Sequence, residues 1–273
     1  MPETNSARTN GAKRLLLSLR AMQTVPHLYQ QGGTQFARSG LDALPLALNL
    51  SPDERLDSKS WELMRSIKMV TEMVADLRQE VDSTDLVDED KQFYLRDLPN
   101  VTNIFAPGSL VRGWNDVIAA VTPQMIANFE HLDRVLNRRS QERDLSADDF
   151  GPFLAEIDGA LIELGQLEID VSLKELIASQ LREIKLAIDE YRFRGVKGLQ
   201  PAVAGYIGSL ALAHAELAQA TTTPEGKIRL KALLDVCKTG ADLLNTAKGV
   251  AWVWPHLVQG AQVLQHLLAQ AAN

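Results

Sequence analysis

Apolar side chains recur four and three residues apart in four separate stretches of this 273-residue chain. The longest is Leu63, Ile67, Val70, Val74, Leu77 and Val81. Met125, Phe129, Leu132 and Leu136 repeat the spacing, as do Phe150, Leu154, Ile157, Leu161 and Leu164, and then Leu173, Ile177, Leu181, Ile184, Ile188 and Tyr191. A strand would split these residues between its two faces, whereas a helix gathers them on one side. Leu, Ala, Gln, Glu and Arg are abundant, and these straight-chain residues lose little rotamer freedom in a helix. The chain is therefore expected to be all-α: a multi-helix, up-and-down bundle in the C-terminal half with a smaller N-terminal helical part.

Punctuation between the seams sets the expected organisation. Residues 1–11 are polar and read as a disordered tail. Residues 12–57 hold one short amphipathic helix around Leu15, Leu16 and Leu19, followed by an irregular arm with Pro26, Pro45, Pro52 and the Gly32-Gly33 pair. A helical part over 58–143 starts with a helix from Ser58 to Val81. The acidic run Glu80–Asp90 lacks the alternate ligands and central glycine of a calcium loop, so it reads as a solvated turn in which Asp85 caps a helix over Val87–Asp97. A helix over Ser109–Val121 follows, and Thr122-Pro123 gives a cap and a first-turn proline. The polar stretch RRSQERDLSADD marks the boundary to a bundle over 144–273. There Ser146 is expected to cap a helix to Leu164, and Ser172 with Glu175 to form a capping box for a helix to Phe193. Gly195 is the expected C-terminal glycine, and Thr223-Pro224 opens a further helix.

Two stretches of the bundle carry no charge. GLQPAVAGYIGSLALAHA, residues 198–215, places small residues four apart, including Gly205 and Gly208, which suits close helix packing. Its polar members argue against a membrane span, so it is expected to lie centrally in the bundle. The last 25 residues, Gly249–Asn273, contain no Asp, Glu, Lys or Arg. A terminal helix facing water normally carries charge on its outer side. Three environments satisfy it: the core of its own fold, a protein partner or second copy, or lipid. In the second case the contact residues are Trp252, Trp254, Gln262, Leu264, His266 and Leu268, because interface centres favour tryptophan and exclude charge.

Chemistry-bearing motifs are scarce. The five histidines are scattered and none follows an acid at the spacing of a di-iron or zinc helix. Phosphate-loop and nucleophile-elbow patterns are missing, so no cofactor and no metal is expected; an enzyme would need a site assembled from distant positions. The segment YRFRGVKG gathers Arg192, Arg194 and Lys197 into a candidate anion contact, with a helix C-terminus as the simpler role for these cations. Net charge is −7, which opposes nucleic-acid binding. The N-terminus has five cations before Leu41 against a single acid, Glu3, a faint likeness to an organelle transit peptide. The lone Cys237 and the lack of a secretory signal point to the cytoplasm. The functional expectation is a helical protein-interaction protein: an adaptor, regulator or self-assembling component with a protein partner or itself. A soluble protein that releases its uncharged helices into a membrane is the alternative, and an enzyme with a non-local site the third.

Overall fold

The computed structural model describes residues 9–31, 34–40, 43, 44, 46, 59–138, 142–220 and 223–248. The fold is all-α, and its described residues form two compact units. The first comprises 9–138 together with 192–194, and the second 142–191 with 195–248.

In the first unit, α1 (Gly11–Thr24) packs against α2 (Lys59–Asp82) and α7 (Pro123–Asn137). Between them come α3 (Asp88–Leu95), α4 (Leu98–Ile104), α5 (Pro107–Leu110) and α6 (Trp114–Ala119). Leu15, Leu19, Leu77, Phe129 and Leu132 are fully buried in one core, so the spacing seen in the sequence does converge on shared packing. Thr9, Asn10 and Gly11, expected in a loose tail, are buried instead. Asn10 caps α1, and its Nδ2 donates to Asp133 Oδ1 at 2.8 Å and Asn137 Oδ1 at 2.9 Å. The Gly11 N–H donates to Glu80 Oε2 at 2.7 Å, which places a carboxylate on the positive end of the helix. Side-chain acceptors on α2 and α7 thus complete the start of α1.

The arm is less irregular than expected. β1 (Leu28–Gln31) and β2 (Thr34–Ala37) pair antiparallel, with Leu28 opposite Ala37 and Gln31 opposite Thr34. That register leaves two residues between the strands, and a Gly-Gly pair there is a standard hairpin signal. The single helix expected over 109–121 is interrupted: Trp114 N–H donates to the Arg38 carbonyl at 2.8 Å, and Gly40 N–H to that of Arg112 at 3.1 Å. Backbone pairing with the arm therefore replaces helix continuity at residues 111–113. Asp85 does not cap α3; Val87 takes that position with no side-chain bond. Thr122 does cap α7, its hydroxyl accepting the Met125 N–H at 3.1 Å.

The second unit is an antiparallel helical ring. α8 (Ala147–Gln166) packs on α9 (Val171–Asp189) and on α13 (Pro224–Lys248), and α11 (Val196–Leu212) closes the ring by packing on α9 and α13. The short α10 (Tyr191–Arg194) and α12 (His214–Ala220) lie in the connections. Directions follow from crossing contacts: Asp158 with Lys185, Glu163 with Arg229, and Tyr206 with Leu233. Ser146 and Asp149 form a reciprocal capping box on α8. That hydrogen bonding from Ser146 lowers the Asp149 pKa. The cap of α9 is Asp170 rather than Ser172, since its carboxylate accepts the N–H groups of Ser172 and Leu173. α9 ends at Asp189, short of the expected Phe193, and the stretch 198–220 is divided at Ala213.

Candidate functional site

Gly195 makes α11 possible. Its φ of 56° and ψ of −149° lie in a region that side-chain-bearing residues avoid, and there the chain reverses from α10 into α11. The Val196 N–H then donates to Glu142 Oε1 at 3.3 Å. From there one side of α11 turns inward. Val196, Leu199, Val203, Tyr206, Ile207 and Leu210 are buried. Tyr206 is wholly enclosed, and its hydroxyl donates to the Leu233 carbonyl of α13 at 2.8 Å. Burial, with Cys237 nearby, pushes the phenol well above its ordinary pKa, and burial likewise raises the Cys237 thiol. Cys237 is buried in the core of this unit as a packing residue.

The other side of α11 faces outward. Pro201, Ala204, Gly208 and Leu212 are exposed, three or four residues apart, and so lie in one line along the helix. Leu212 is 74% exposed. A Cβ added at Gly208 would meet no atom within 4 Å. The small residues expected to bring helices together therefore divide. Gly205 abuts the Gln180 side chain of α9 and Gly208 looks into open space, while the close approach is made by Gly240 of α13, which the sequence did not single out. At Gly240 an added Cβ would stand 3.1 Å from the Phe153 ring and 3.2 Å from Val203. Residues 198–215 were expected to lie centrally in the bundle; among the described residues this side of α11 has no neighbour over it.

Its lack of charge distinguishes it from its neighbours. The exposed positions of α8 include Asp148 and Asp158, those of α9 Glu175, Arg182 and Glu183, and those of α13 Lys231, Lys238 and Asp242. On α11 the exposed Lys197 belongs to the first turn, and no charge follows until Glu216 in α12. Within α11 the exposed positions after Lys197 are Pro201, Ala204, Gly208 and Leu212, none with a polar side chain.

The candidate anion contact draws on residues of both units. Arg194 Nε lies 3.0 Å from Glu72 Oε2, which neutralises it, and the Arg192 guanidinium stacks 4.4 Å from the Phe193 ring centroid. Both belong to the first unit, whereas Lys197 belongs to the second. Trp252, Trp254, Gln262, Leu264, His266 and Leu268 lie outside the described residues.

Among the described residues no group of three or more His, Cys, Asp and Glu is placed to hold a metal ion. A polar cluster that the sequence did not signal joins α3 and α7: buried Asn128 donates to Asp97 Oδ2 at 2.8 Å, and Tyr94 Oη lies 3.2 Å from His131 Nδ1. Burial, reinforced by Asp90, raises the Tyr94 pKa, which makes its phenol a poorer acid and suits a structural bond. A cleft of about 330 Å³ is lined by Asn103, Ser109, Arg112 and Asp116 among others, and another of about 340 Å³ by Glu168, Thr223, Glu225 and Arg229. Neither is lined by a histidine or a cysteine. No helix among the described residues is long and apolar enough to cross a membrane. No family model, curated protein or solved structure shows a significant match to the chain.

Proposed function

We propose that this is a helical protein-interaction protein, and that the outward face of α11 is where it receives another helix. The observation that carries the reading is the run of exposed, charge-free positions Pro201, Ala204, Gly208 and Leu212 in a ring whose other long helices all expose charge. Covering charged side chains strips them of water at a cost, whereas covering this face removes apolar surface at a gain of roughly 25 cal/mol per Å². Small side chains at 204 and 208 let a second helix come close, and Leu212 supplies the larger apolar contact. A protein partner or a second copy suits it. A buried thiol with no second cysteine to pair with suits the reducing cytoplasm.

Ala204→Asp combined with Gly208→Asp tests the reading. Both positions are exposed, so helicity and melting temperature should stay close to wild type. Any complex that depends on the face should lose affinity by tenfold or more, as buried unpaired carboxylates cost about 1–3 kcal/mol or more each. The measurement is solution mass across concentration, together with the mass of the assembly isolated from the native host. A folded double variant with the wild-type assembly would refute the reading.

A further inference from the structure

We infer that the cleft of the first unit between α4 and the start of α6 binds a small zwitterion, an aliphatic α-amino acid, with Arg112 taking its carboxylate and Asp116 its ammonium. The inference is independent of the docking reading above, because the α11 face belongs to the other unit. Three observations converge on it.

The first is a pair of opposite charges that do not neutralise each other. Arg112 and Asp116 are four residues apart, the spacing at which arginine and aspartate meet on a continuous helix. Here the helix is broken between them. The Arg112 carbonyl accepts the Gly40 N–H at 3.1 Å, the Trp114 N–H donates to the Arg38 carbonyl at 2.8 Å, and α6 starts only at Trp114. Among the described residues neither the Arg112 guanidinium nor the Asp116 carboxylate has an ion pair or a hydrogen bond, yet both line this cleft. The cleft at Glu168 and Thr223 differs on this point. Its Arg229 lies 3.7 Å from Glu163 and donates to the Gln166 carbonyl at 3.0 Å.

The second is the shape and chemistry of the walls. At about 330 Å³ the cleft is at the small end of the range that ligand sites occupy, about 300–1,000 Å³. Asn100 and Asn103 bring amides from α4, and each amide both donates and accepts. Ile104 and Val117 also line it, and both are almost wholly buried, so they form its base rather than its rim. An apolar base beneath polar walls suits a short aliphatic side chain carried on a charged head.

The third is rigidity. Trp114 is buried, and its Nε1 donates to the Val25 carbonyl at 3.3 Å. The Arg112 N–H donates to the Ser109 carbonyl at 3.1 Å, and the Ser109 hydroxyl donates to the Asn103 carbonyl at 2.8 Å. The backbone that carries the two charges is thus fixed before any ligand arrives, which lowers the ordering cost of binding. A carboxylate alone would satisfy Arg112 while facing the like charge of Asp116, and an amine alone would meet the reverse. A zwitterion answers both, and the planar guanidinium fork matches its carboxylate in two parallel bonds.

Calorimetric titration of the 273-residue chain with glycine, L-alanine, L-valine and L-leucine tests the inference. Isocaproate and isoamylamine, which are L-leucine without its amine and without its carboxylate, are titrated beside them. The expected result is saturable binding of at least one of the four amino acids below about 10 mM, with L-leucine at least tenfold tighter than either one-charge analogue. Arg112→Gln and Asp116→Asn should each weaken amino-acid binding tenfold or more and keep the wild-type melting temperature, since both side chains are exposed. Lys231→Gln, on α13 in the other unit, should bind as wild type does. In the wild-type protein, the bound amino acid should slow hydrogen–deuterium exchange over residues 98–120. No saturable heat with any of the four, unchanged affinity in both variants, or slowed exchange only outside 98–120 would overturn the inference. Isocaproate or isoamylamine binding as tightly as L-leucine would overturn it too, leaving a site for a single charge.

Discussion

Tyr206→Phe removes one atom from the seam between α11 and α13, and its consequence can be worked out closely. The hydroxyl is fully buried and donates to the Leu233 carbonyl at 2.8 Å. Leu233 lies inside α13, so its carbonyl also accepts the helical bond from the N–H four residues on and keeps a partner after the substitution. The loss is therefore that of a satisfied hydrogen bond, about 0.5–1.5 kcal/mol, without the larger penalty of stranding a buried acceptor. Ring packing is unchanged, so deleting the whole side chain should cost far more, about 3–5 kcal/mol for an aromatic-to-alanine change. The effect also depends on pH. Burial raises the folded-state pKa of this phenol above the value of about 10 it has when unfolded. A raised pKa gives stability that is complete below the unfolded pKa and is lost as pH climbs past it, because only the unfolded form ionises readily. Wild type should thus lose stability above pH 10 through this group, the Phe variant should not, and the gap between them should narrow. Urea unfolding followed by far-ultraviolet circular dichroism at pH 7, 9 and 10.5 measures it. A cost above about 3 kcal/mol, no cost at all, or a gap that widens with pH would refute the reasoning.

Leu77→Asp in α2 and Ile184→Asp in α9 each put an unpaired carboxylate where the native side chain is fully buried, and each should cost roughly 3–5 kcal/mol. A wild-type melting temperature in either would show that its seam does not face a core. Gly195→Ala meets the backbone directly: at φ 56° and ψ −149° a Cβ is strained by about 1–3 kcal/mol, read as a lowered urea midpoint, and an unchanged midpoint would contradict the turn.

The sequence by itself determined the helices and which side of each is buried. Spacing of four and three is a local property, set by 3.6 residues per turn, and it located Leu77, Phe129, Ile157 and Ile184 in cores without any knowledge of their partners. The caps at Thr122 and Ser146 were equally legible, because the groups that satisfy a helix start lie within three residues of it. Asp170 escaped because a neighbouring Ser-Glu pair fitted the same template, and only coordinates reveal which oxygen reaches the N–H groups. Tertiary structure alone decided the matters that depend on distant residues. Asn10 and Gly11 are ordered by acceptors on α7 and α2, more than sixty positions away in sequence. The arm between α1 and α2 pairs into a hairpin and interrupts the helix expected at 109–121 through bonds to Arg38 and Gly40. Arg194 meets Glu72, an ion pair between residues more than a hundred positions apart. The open face of α11 is the clearest case. Composition showed that 198–215 lacks charge, yet whether such a helix is surrounded or exposed depends on how many neighbours the ring supplies. The described ring supplies two, α9 and α13, which cover the Tyr206 side and leave Gly208 and Leu212 uncovered.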